Sequence, residues 1–320
     1  MDIARTVFET LDKAFDKKFN GLIDFENADK VKTILNVQYS DSDKTFCKLD
    51  IHHIPQKHKK YPVLVNIHGG GFVAGSKEHR NGISTWFATQ GFFVVNVNYG
   101  LCPECKFPTP LMHLVEALNW IYDNAKKFNL NLFKVAICGD SAGAYYASML
   151  TTLCKSKKLQ TVFQVSPKIK INACILNCGI YDLNQALKEK LLFDLNLKIF
   201  ESYSGVNKSN LDTFKLKDYC SPLPFMTKKF PPTFLIYAKK DMVCKGQAEL
   251  IIEKFNRLDI YFESYNSKSI FRNHCFSLDW STKEAKEANA LVKQFLEKFK
   301  KGKLPKHQSH SSEIIREEEK

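Results

Sequence analysis

The segment KVAICGDSAGAYYASMLTTL, residues 134–153, decides the fold. Its opening KVAIC is short and apolar enough for a buried strand, while AYYASMLTTL has the length and composition of a helix. Between the two stands Gly139-Asp140-Ser141-Ala142-Gly143. A chain that leaves a strand and enters a helix within so few residues must turn sharply, and glycines flank the serine because larger side chains would collide there. The turn lifts the Ser141 hydroxyl clear of the strand end. In a strand–turn–helix setting, G-x-S-x-G signals a nucleophilic serine.

Working outward from this segment, apolar β-branched runs recur at 63–67, 92–97, 135–138, 171–176 and 233–237, with a weaker one at 260–265. Two extended stretches, 31–39 and 46–54, precede them, and helix-like segments occupy about 78–90, 110–126, 142–154, 245–257 and 282–299. This alternation predicts an α/β chain with a mostly parallel central sheet flanked by helices. Ser281 and Glu284 predict a capping box for the last helix. At the N-terminus Ile3, Val7, Leu11 and Phe15 stand four apart, the stripe of an amphipathic helix over 2–19. Residues 183–230 interrupt the rhythm with a helical stretch, ALKEKLLFDLNLKIFESY, and then a proline-rich one. The expected organisation is an N-terminal cap region over 1–30 and a main domain over 31–301 with a cap insertion at about 183–230. A polar, disordered tail is expected over 302–320, which has too few apolar residues to offset the entropy of ordering.

The formal charge of +13 raises the question of nucleic acid, but the lysines are dispersed apart from KFKKGKLPK at 298–306. No RNA-binding signature or zinc-finger spacing accompanies them, so a solvated basic surface is expected, with no nucleic-acid partner. No run of eighteen apolar residues occurs, and MDIARTVFETLDKAF lacks the apolar core of a signal peptide. Ten cysteines without an export signal read as reduced thiols. These features predict a cytoplasmic protein with no stable membrane insertion.

A nucleophilic serine needs preorganised donors for a developing oxyanion, a base, and a group to orient the base. His68-Gly69-Gly70-Gly71-Phe72, at the end of the strand PVLVNI, offers backbone N–H groups that can approach a substrate closely, and the Ala142 N–H would add another. Gly69-x-Gly71-x-x-Ala74 also fits a dinucleotide fingerprint, but the next strand ends in Asn96 and Asn98 where an acidic residue is required. Only His274, His307 and His310 follow Ser141, and the last two fall in the polar tail, which leaves His274 as the base. Asp241, ending TFLIYAKKD just past a strand, is the favoured acid. Asp182, after ILNCGIY, is its competitor. Cys102-Pro103-Glu104-Cys105 has no second pair at zinc spacing, and Cys47, His52, His53 and His58 read as strand and turn positions, so no metal is expected.

Together these motifs resemble the hormone-sensitive-lipase-like carboxylesterases, in the subgroup with GDSAG at the serine turn. The likeness runs from about residue 50 to 299. It rests on residues 68–72, on Asn98-Tyr99-Gly100-Leu101-Cys102-Pro103-Glu104, on residues 139–143, and on Asp241 with His274. It implies an α/β-hydrolase fold with a helical cap and a small-molecule ester substrate, of short to medium acyl length, cleaved without a cofactor. It also implies that Gly70, Gly71 and Ala142 form the oxyanion hole and that His68 supports that loop. Four positions depart from the family pattern: Asn98 and Gly100 replace Asp and Arg, Met242 replaces the proline after the acid, and Cys275 replaces the glycine after the histidine. An amidase, formamidase or deacetylase on the same machinery is the nearest alternative. A ligand-binding pseudo-enzyme is the more distant one, and the presence of His274 argues against it.

Overall fold

Strands that are apolar along their whole length can be buried only if helices cover both faces of their sheet. A computed structural model, which describes residues 5–10, 25–57, 59–189, 194–269, 273–305 and 307, shows this arrangement. Its eight strands are β1 (Lys32–Gln38), β2 (Lys48–His53), β3 (Tyr61–Ile67), β4 (Phe93–Val97), β5 (Leu130–Asp140), β6 (Ala173–Asn177), β7 (Thr233–Ala238) and β8 (Phe262–Ser267). They lie in the order β1-β2-β4-β3-β5-β6-β7-β8. The pairs β1/β2 and β2/β4 are antiparallel, and every pair from β4 to β8 is parallel.

The period of two divides the core between the faces. Val63, Val65 and Ile67 of β3 pack with Val135 and Ile137 of β5 under the helices Thr109–Asp123, Ala142–Leu153 and Gln247–Leu258. Leu64, Val94, Ala136 and Phe234 point the other way, onto the helices Asn81–Thr89 and Lys283–Lys300. Every residue of Ala142–Leu153 is buried, so the helix after Ser141 is fixed along its length.

Several boundaries differ from the sequence expectation. The last helix is capped by Thr282, whose hydroxyl accepts from the Ala285 N–H, while the Ser281 hydroxyl donates to Asp279. The segment expected to be one helix over 78–90 is a 3-10 turn, Lys77–Arg80, followed by the helix. Lys77 and Arg80, at either end of this turn, are both buried in ion pairs, with Asp50 and Asp140. In the 183–230 insertion the helices are Leu183–Ala186 and Leu195–Ser204, the latter burying Phe200 and Tyr203. Leu191 and Leu192 lie outside the described residues. Of the N-terminal stripe, residues 5–10 are helical, and Ile3, Leu11 and Phe15 lie outside the described residues, as do His58, His310 and 308–320. No helix among the described residues is long and apolar enough to cross a membrane.

Candidate active site

β5 ends at Asp140 and the following helix begins at Ala142, so Ser141 alone makes the turn. It does so at φ 53°, ψ −121°, a conformation that costs a residue with a side chain about 1–3 kcal/mol. Two features hold it there. A Cβ on Gly143 would lie 2.1 Å from the Ile67 carbonyl oxygen, so only glycine lets the helix start sit on the end of β3. And Arg80 donates from Nε and Nη2 to the two Asp140 carboxylate oxygens, at 2.7 Å each, in a buried pair. Removing one partner would leave an uncompensated buried charge, a loss of about 3–5 kcal/mol.

The three residues read as nucleophile, base and acid come together at the carboxyl ends of β5, β7 and β8. His274 Nε2 stands 2.8 Å from Ser141 Oγ, and His274 Nδ1 stands 2.9 Å from Asp241 Oδ2. The Val243 and Cys244 backbone N–H groups donate to Asp241 Oδ1, both at 2.8 Å. Burial works against a charged Asp241, but His274 and these amides outweigh it and hold the carboxyl below its ordinary range. Burial likewise works against a charged His274, but the neighbouring Cys275, the Asp241 carboxylate at hydrogen-bond distance and Cys244 together outweigh it and raise the imidazole pKa above its ordinary value. The competitor Asp182 is engaged elsewhere, capping Leu183–Ala186 by accepting from the Gln185 N–H. His307 faces Asp259 at the surface.

The two departures near the triad are accommodated. Met242 is exposed, and its N–H donates to Asn273 Oδ1 at 3.0 Å. Cys275 adopts φ 54°, the conformation a glycine would take freely, and its N–H donates to Cys178 Sγ at 3.2 Å.

Gly70, Gly71 and Ala142 surround the turn with amides that donate no hydrogen bond among the described residues. The Gly71 backbone is at φ 60°, and a Cβ there would meet the Phe8 ring at 2.4 Å. His68 sits beneath the loop. Its Nδ1 donates to the Gly69 carbonyl at 2.7 Å, and its ring stacks on Tyr99 at 4.4 Å. Burial pushes its pKa down to about 4, so the ring is neutral. Tyr99 donates to the His68 carbonyl at 2.8 Å.

Both interrupting segments rest on this loop. Arg5 donates to the carbonyls of Val73 and Cys102 and to the Glu104 carboxylate, which seats Phe8 on Gly71. Tyr203, from Leu195–Ser204, stands 2.6 Å from the Tyr145 hydroxyl and packs on Phe72. Sequence reasoning did not single out Arg5, Phe8, Arg80 or Asp140 as neighbours of the serine turn. It also missed that Cys178 and Cys275, and separately Asp241 and Cys244, lie with their ligating atoms within 4.8 Å of one another and of a His274 nitrogen. Cys102 and Cys105 are buried, with Cys102 donating to the Cys105 carbonyl, and neither joins such a group among the described residues.

A family model described as BD-FAE matches residues 49–255. Among curated proteins, the chain is 35% identical over 99 residues to an alpha/beta hydrolase of Acanthamoeba polyphaga mimivirus, a stretch that is 31% of this chain and 29% of that one. It is 24% identical over 192 residues to esterase LipQ of Mycobacterium tuberculosis, 59% of this chain and 44% of that one. The chain thus spans less than half the length of these curated relatives. Among solved structures, esterase B of Lactobacillus rhamnosis, determined with a tributyrin phosphonate, superposes with a TM-score of 0.79 at 20% identity. That superposition covers 93% of this chain and 94% of the other, which identifies the fold as that of the α/β-hydrolases.

Proposed function

We propose that this chain, which belongs to the BD-FAE family, hydrolyses small carboxylic esters through an acyl-enzyme on Ser141. The observation that carries this reading is the unbroken hydrogen-bonded series from Ser141 Oγ through His274 to Asp241, built on a serine held at positive φ. His274 takes the Ser141 proton as Oγ attacks the carbonyl carbon, and returns it to the leaving alkoxide as the ester bond breaks. Asp241 fixes the tautomer and stabilises the imidazolium. The free amides of Gly70, Gly71 and Ala142 receive the oxyanion, each such donor contributing roughly 3–4 kcal/mol in the transition state. Water then repeats the sequence on the acyl-enzyme. His68, neutral and stacked, positions the glycine loop. Ten free thiols suit a reducing compartment, and we assign the chain to the cytoplasm. Hydrolysis of p-nitrophenyl acetate and butyrate ahead of the matching anilides tests this reading; no turnover of any ester in a series of increasing acyl length would overturn it.

Two further outcomes follow from the geometry. His274 must be neutral to accept a proton, and Asp241 raises its pKa, so kcat/KM rises with pH through an apparent pKa above the ordinary histidine value of about 6.5. A profile that falls over that range contradicts a histidine base. In addition, Phe8 is the apolar side chain seated on the oxyanion loop. Phe8→Ala should raise KM several-fold for hexanoate esters and leave acetate esters nearly unaffected. An unchanged chain-length profile would remove residues 5–10 from the acyl pocket.

A further inference from the structure

Three strand ends converge behind His274, and each brings a thiol. Cys178 directly follows β6, Cys244 lies in the loop after β7 that carries Asp241, and Cys275 follows His274 after β8. Cys178 and Cys275 both take positive φ, 49° and 54°, and both are buried. The Cys275 N–H donates to Cys178 Sγ at 3.2 Å, so that sulfur is already placed beside the histidine loop. The two sulfurs and a ring nitrogen of His274 lie within 4.8 Å of one another. A cavity of about 260 Å³ lined by Cys178, Gly179, Tyr181, Asp241 and Cys244 borders the cluster at Cys178.

We propose that Cys178, Cys275 and His274 form a binding site for a soft divalent metal ion of the zinc class, and that its occupancy switches off ester hydrolysis. Two thiolates and an imidazole make a donor set that selects zinc over magnesium or calcium. Tetrahedral zinc, with bonds of about 2.3 Å to sulfur and 2.0–2.1 Å to nitrogen, holds its ligand atoms roughly 3.5–3.8 Å apart. Closing from the present spacing takes a movement of roughly one ångström, within reach of side-chain rotation, and water completes the fourth position. Both thiols release their protons on binding, so affinity rises with pH. No electron transfer is involved. A His274 ring committed to the metal cannot both face Asp241 and accept the Ser141 proton, so the bound state is inactive. This second half of the proposal rests on the esterase reading; the binding site does not.

The test therefore reads binding and activity separately, on the full chain stripped of metal. Titration with Cd²⁺ should develop an ultraviolet thiolate-to-metal charge-transfer band that saturates at one equivalent. The band should be lost in Cys178→Ala and in Cys178→Ser but retained in Cys244→Ala. Zn²⁺ should inhibit p-nitrophenyl acetate hydrolysis reversibly, with EDTA restoring the rate. The half-inhibiting concentration should rise tenfold or more in Cys178→Ala, each variant being compared with its own metal-free rate. Absence of the band, its survival in Cys178→Ala, or its loss in Cys244→Ala overturns the site. Saturation of the band with hydrolysis undiminished overturns the switch. If no ester is hydrolysed at all, the cadmium titration still decides the site, so failure of the esterase reading is distinguishable from failure of this one.

Discussion

Ser141→Ala reduces kcat for p-nitrophenyl acetate by on the order of 10⁶, to the level that oxyanion donors and binding supply without a nucleophile. The substitution removes one oxygen. It leaves the fold intact, because Ser141 contributes to packing chiefly through its backbone, with its N–H on the Asn177 carbonyl at 2.9 Å and its carbonyl accepting from Tyr145. The helix Ala142–Leu153 and the Arg80–Asp140 pair hold the turn in place from both sides, so alanine inherits the same φ of 53°. Thermal denaturation should therefore be unchanged within a few degrees. A fluorophosphonate probe should label the native chain at Ser141 and label the variant nowhere. Retained activity, or a labelled peptide from another part of the chain, would remove Ser141 as the nucleophile.

Asp241→Asn has the next largest effect, a loss in kcat of about 10⁴. Its amide keeps an oxygen for the Val243 and Cys244 N–H groups, so the loop survives. What is lost is the carboxylate facing His274 Nδ1: an amide there favours the wrong tautomer and cannot stabilise the imidazolium. The paired control is Asp182→Asn, which should stay within a few-fold of the native rate. Asparagine caps a helix as well as aspartate does, and capping Leu183–Ala186 is what Asp182 does here. If the two variants rank in the opposite order, the acid has been placed on the wrong strand end.

What the sequence reveals and what it hides follow a physical division. The serine turn is legible because strand, turn and helix are contiguous, and their local requirements are written side by side in residues 134–153. His274 is legible by elimination, since few histidines follow Ser141. The two candidate acids both follow strands, and only the lateral packing of β5, β7 and β8 separates them. Arg80 and Asp140 lie 60 residues apart, with Asp140 at a variable position of the motif, and nothing local signals their pairing. The thiols of Cys178 and Cys275 are 97 residues apart and meet only because their strands end at the same edge of the sheet. The last helix shows a finer limit. Ser281 and Thr282 are adjacent and both able to cap, and the choice fell to the one whose hydroxyl the Asp279 turn leaves facing the helix.

The separation of 133 positions from Ser141 to His274 sets an order in time. On a ribosome adding about 5–20 residues per second, roughly 7–27 s separate synthesis of the two. Throughout that interval the emerging chain already carries the serine turn and the glycine loop but lacks any base. The last helix, made later still, holds the histidine loop from behind: Asn289 donates to the Ser277 carbonyl at 2.8 Å, and Phe295 packs against Phe234 of β7. On the proposed mechanism a nascent chain is therefore without its base until His274 has been made, and the histidine loop gains its backing only when Lys283–Lys300 docks.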